Sequence, residues 1–113
     1  MTQYLISFDD GTMDATEEEL PAVADAGHAV IQEAKDAGVF VFSGGLDYRQ
    51  QHATVGRDGV VTDGPYPESK ELIGGVLIVD VPSFEEALKW AAKTAAACRC
   101  AQDVREFFPF RRF

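Results

Sequence analysis

Two histidines, two cysteines and a serine beside paired glycines are the side chains of this 113-residue chain with the most chemistry to offer. His28 is an imidazole that can take or give a proton near neutral pH, and a carboxylate that fixed its tautomer would complete the smallest acid–base unit. A lone histidine at a helix edge is also an ordinary solvated or hydrogen-bonded residue. Asp63 brings a carboxylate just ahead of Gly64-Pro65, where aspartate is equally suited to bonding its own backbone in a turn. Ser43 closes an apolar run next to Gly44-Gly45; it could line a cleft or donate to a ligand, although two glycines alone account for a sharp strand exit. His52 has no carboxylate near it in sequence. Cys98 and Cys100 are separated by one residue, too close for an unstrained disulfide and unlike the C-x-x-C pairs that hold zinc. They are expected as free thiols at a helix end in a reducing compartment. The glycines do not compose a phosphate-binding fingerprint. Neither a metal nor a cofactor is expected.

The elements that must hold these residues follow from periodicity and punctuation. Tyr4, Leu5, Ile6 and Phe8 read as a strand ending at the turn Asp9-Asp10-Gly11. Thr16-Glu17-Glu18-Glu19 is a capping box that opens a helix. Leu20, Val23, Ala24, Gly27, Val30, Ile31 and Ala34 form its inward stripe, and Gly38 stops it. His28 stands one position off that stripe, where a cleft at the helix–sheet boundary would lie. Val39 to Phe42 give a second strand, broken at Ser43-Gly44-Gly45. A weak strand over 52–55 turns at Asp58-Gly59 and is followed by a few extended residues. Two prolines make 63–67 a loop. Leu72 to Val81 is the longest apolar run, and Gly74-Gly75 within it suggests a bulge or a close backbone approach. A second box, Ser83 to Glu86, opens the second helix, whose inward face is Phe84, Ala87, Leu88, Ala91 and Ala95. Trp90 belongs with the core. A strand over 103–108 closes the order β-α-β-β-(β)-β-α-β, the split β-α-β or ferredoxin-like arrangement with an extra short strand. The fold class is therefore α+β, with two helices on one face of an antiparallel sheet, and residues 1–113 form a single domain.

Apolar residues at 46% and charged residues at 26% describe a globular chain. A net charge of −9 repels polyphosphate and anionic lipid, so neither nucleic acid nor a membrane is expected as a partner. No apolar run reaches membrane-spanning length and no secretory layout opens the chain, which makes a cytoplasmic protein the expectation. A sheet with one wet face should alternate, yet Val39 to Phe42 and Val76 to Val79 are apolar on both faces. Something must cover the face opposite the helices. A second copy is the simplest cover, and the aromatic tail Phe107-Phe108-Pro109-Phe110 points the same way; the alternative is a tail folded back over its own sheet.

The stretch Val61-Thr62-Asp63-Gly64-Pro65-Tyr66-Pro67-Glu68-Ser69-Lys70-Glu71-Leu72-Ile73-Gly74-Gly75 resembles the signature of the YCII-related family, in its branch named for a D-G-P-F motif, with Tyr66 where the motif has phenylalanine. The likeness continues through Ile78-Val79-Asp80-Val81-Pro82, Glu86 to Ala91 and Val104 to Phe107, and upstream through His28, Ala37-Gly38-Val39 and Ser43-Gly44-Gly45. The resemblance implies a ferredoxin-like fold and a homodimer whose sheets pack face to face, in the manner of a dimeric α/β barrel. It also implies a catalytic pair, at positions corresponding to His28 and Asp63, near a cleft; Ser43, Gly44 and Tyr66 are the candidate ligand contacts.

Two readings result. In one, the chain is a cofactor-independent enzyme acting on a small organic molecule, with His28 as acid or base and Asp63 as its orienting partner. In the other, it is a non-catalytic dimeric module that binds a small ligand or a protein and serves regulation, as the family's association with alternative sigma factors implies.

Overall fold

The computed structural model describes residues 1–64 and 71–109. Strand β1 (Thr2–Asp9) leads through a single 3-10 turn (Glu17–Glu19) into α1 (Leu20–Asp36), and β2 (Phe40–Gly45) follows. A hairpin of β3 (Ala53–Val55) and β4 (Val61–Asp63) precedes β5 (Ile73–Val81), α2 (Phe84–Cys98) and β6 (Asp103–Glu106). The main sheet runs β2-β5-β1-β6 with every neighbouring pair antiparallel. Each β-α-β half is thus split by a strand of the other half, which is the ferredoxin-like topology read from the sequence.

Both helix starts form as their residue types dictate. Thr16 N–H donates to Glu19 Oε1 at 2.9 Å, and Ser83 Oγ accepts from Glu86 N–H at 3.2 Å. Gly38 takes φ +74° just past α1, the left-handed stop that a glycine permits. At the end of α2 it is Arg99, at φ +56°, that adopts this conformation.

Two expected strand ends are corrected. The chain does not leave the sheet at Ser43-Gly44-Gly45: β2 runs through all three, because Gly44 and Gly45 pair with Val76 and Gly75. The last strand stops at Glu106, two residues short of 108. The extra short strand forms a hairpin of its own, β3 with β4, around the Asp58-Gly59 turn.

Tyr4, Ile6, Leu77, Val79 and Val81 point from the sheet onto α2, and the small side chains of Ala87 and Ala91 let that helix sit close. Trp90 packs at the edge of this core, as its sequence position suggested. Helix α1 packs chiefly on α2 and is tied to it by Lys93 Nζ donating to Glu33 Oε1 at 2.7 Å. Between its N-terminal half and the sheet lies a cavity.

Candidate functional site

A cavity of about 420 Å3 lies between the first half of α1, the end of α2 and the strands β1, β2 and β5. Its helix side is Leu20, Val23, Ala24, Gly27 and Ile31, residues of the inward stripe, together with Met13 from the preceding loop. Phe8, Ser43, Gly75 and Leu77 form the sheet side, and Thr94, Cys98 and Gln102 close the end. His28 sits at the boundary: it lines the cavity while remaining solvent-exposed. The imidazole can therefore exchange protons with water on one side and meet a bound molecule on the other.

Among the described residues, the lining carries no Asp, Glu, Lys or Arg. Its ionisable groups are His28 and Cys98. Burial pushes the Cys98 thiol upward, with the neighbouring Cys100 adding to the effect, so Cys98 stays protonated at neutral pH and is a poor nucleophile. Gln102 Nε2 donates to the Cys100 carbonyl at 3.3 Å. Among the described residues, no cluster of three or more His, Cys, Asp or Glu forms a metal-ligand set.

The structure brings His28, Ser43 and Gly44 to this one cavity. It does not bring Asp63 there: that residue ends β4, exposed, and is not among the described residues of the lining. The hairpin nonetheless springs from the cavity end of the sheet. Tyr48 Oη donates to the Ile73 carbonyl at 2.6 Å, Leu46 N–H to Gly74 at 2.9 Å and Gly64 N–H to His52 at 2.8 Å. His52 is half-buried and tilted against Tyr48, with ring centroids 5.3 Å apart. Tyr66 lies outside the described residues.

Sequence reasoning left out Phe8, Thr94, Cys98 and Gln102 as cavity residues. Phe8 carried a usable signal, being the third member of the alternating set Tyr4, Ile6, Phe8 that faces the helices. The others come from the far end of the chain, where only the tertiary fold puts them under α1.

The model of the YCII-related domain matches residues 3–111, and the chain belongs to that family. No curated protein matches it in sequence. Among solved structures it is similar to the 5-chloro-2-hydroxyhydroquinone dehydrochlorinase TftG from Burkholderia phenoliruptrix AC1100, in complex with 2,5-dihydroxybenzoquinone, at 16% identity and a TM-score of 0.51 over 97% of each chain. At that identity the likeness is one of fold. Among the described residues, no helix is long and apolar enough to cross a membrane.

Proposed function

We propose that the chain is a small homodimeric enzyme that holds an uncharged or weakly acidic organic molecule in the cavity under α1, with His28 as the proton donor or acceptor. The observation that carries this reading is the convergence of His28, Ser43 and Gly44 on one apolar cavity. A few polar groups set in apolar walls are the usual composition of a small-molecule site. The cavity is at the small end of such sites, so the substrate is of one or two rings' size. TftG, of the same fold, is a 5-chloro-2-hydroxyhydroquinone dehydrochlorinase and holds a dihydroxybenzoquinone; the phenolic compound of the two, largely uncharged at neutral pH, is the first candidate here.

Asp63 stands apart from the cavity within one chain, and we assign its orienting role to the assembled dimer. The hairpin that carries it exposes Val55, Val60 and Val61 at about 60% each, which suits an arm packed against a second copy. Free thiols fit the reducing cytoplasm.

Titration of the protein with 5-chloro-2-hydroxyhydroquinone in the absence of oxygen, followed by its absorbance, tests the reading. Saturable binding by the wild type, lost or weakened in His28→Ala, is the expected result; the absence of binding would refute it. Chloride release from 5-chloro-2-hydroxyhydroquinone that depends on both His28 and Asp63 would mark turnover. Binding without turnover of this or related ring compounds would favour a ligand-sensing module instead.

A further inference from the structure

The glycine pair at the start of β5 has a packing partner that the acid–base reading does not use. Gly75 lies opposite Phe8 in the β1–β5 register, and the Phe8 ring rests over it: a Cβ built on Gly75 would stand 2.5 Å from Phe8 Cε1 and 2.6 Å from Cζ. At Gly74 a Cβ would meet the Asp10 backbone at 2.9 Å and Phe8 Cε2 at 3.2 Å. Neither position tolerates a side chain without movement, and at Gly75 the obstacle is only the far end of the Phe8 side chain. The missing side chain leaves room for the far end of the ring against the strand, and Phe8 is at the same time a wall of the cavity. On the helix side the lining residues include Ala24 and Gly27, and a Cβ on Gly27 would meet nothing within 4 Å. The space between is bounded by an aromatic ring seated on backbone and by the smallest side chains of α1.

We infer that Phe8, held down by Gly75, is an aromatic platform that selects planar ring ligands. The inference rests on the cavity being a ligand site, as proposed above, and adds the class of ligand. A ring held in place needs no further ordering to receive a ligand, and offset or edge-on aromatic packing against it adds to simple apolar burial. With no Asp, Glu, Lys or Arg among the described lining residues, the ring it prefers is neutral or weakly acidic, such as a phenol. Phe8 is thus a specificity-determining residue, distinct from His28, which acts on the bound molecule.

Phenol and its saturated counterpart cyclohexanol are the probes, titrated by NMR into wild type, Phe8→Leu, Gly75→Ala and the double variant Gly75→Ala/Phe8→Ala. Wild type should prefer phenol. Phe8→Leu keeps apolar bulk and loses the π face, so phenol binding should fall between about twofold and tenfold while cyclohexanol binding holds. Gly75→Ala should lift the ring into the cavity and weaken both probes by more than about tenfold; removing the ring as well, in the double variant, should restore room for both without the preference for phenol. Equal effects of Phe8→Leu on the two probes, or wild-type affinities in Gly75→Ala, would overturn the inference. Wild type binding neither probe would overturn the cavity reading itself, and this inference with it. Should Gly75→Ala fail to fold, the Phe8→Leu comparison still decides.

Discussion

Glu19 offers its carboxylate to three donors: the Thr16 N–H and hydroxyl at one oxygen and Arg99 Nη1, 2.9 Å away, at the other. The Thr16 backbone bond first, and Arg99 with it, lowers its pKa from 4.5 to about 2. A group whose pKa falls on folding stabilises the folded state above its unfolded pKa and loses that contribution as the pH drops through the folded one. The melting temperature should therefore decline between pH 4.5 and about 2 partly on account of this residue, and Glu19→Gln should flatten that limb while lowering stability at neutral pH. A thermal melt series over this range checks both. Being exposed, the group has a modest effect. At this scale the place of His28, Ser43 and Gly44 along the cavity was legible because each sits at the edge of a periodic pattern. Cys98 and Gln102 were not, since their place in the cavity depends on how α2 ends. There Arg99 turns left-handed and also bonds Glu19 across 80 positions of sequence.

Helices were the most readable elements because their signals are local. Ser83 shows this: its hydroxyl is the only side-chain cap of α2 recorded among the described residues, accepting from Glu86 N–H. Ser83→Ala should cost about 1 kcal/mol of unfolding free energy, measured by urea denaturation, with Ser83→Asp retaining most of it. Strand boundaries were less readable. Ser43-Gly44-Gly45 looks like an exit from the sheet, and in isolation it would be one; β5 supplies partners for all three residues and carries the strand on. The hairpin β3–β4 was visible from its Asp58-Gly59 turn, whereas its separation from the main sheet was not. Nothing in residues 53–63 says which strand edge they will find, and Leu46 N–H takes the Gly74 carbonyl that would otherwise invite a neighbour.

As a whole the molecule is a plate, with Cα extents of 44 × 43 × 19 Å. Its radius of gyration of 15.6 Å compares with about 13 Å for a compact domain of this length. One face carries the helices. The other presents Phe42, 55% exposed, beside the half-buried Leu5, Val76 and Ile78, which is the two-faced apolar pattern read from the sequence. If two copies meet on this face, sedimentation should give twice the 12.3 kDa chain mass, and Ile78→Glu should return the monomer, because a charge would be buried without a partner. A monomeric wild type would refute the dimer.

The sheet is one layer thick, so the floor of the cavity and the open face are two sides of the same backbone. Val76 and Gly44 belong to both: each lines the cavity, and the two are paired across β2 and β5 beside Phe42 and Ile78. If a bound ring stiffens these strands and so favours association by some factor, association must favour the ring by that same factor, whichever arrives first.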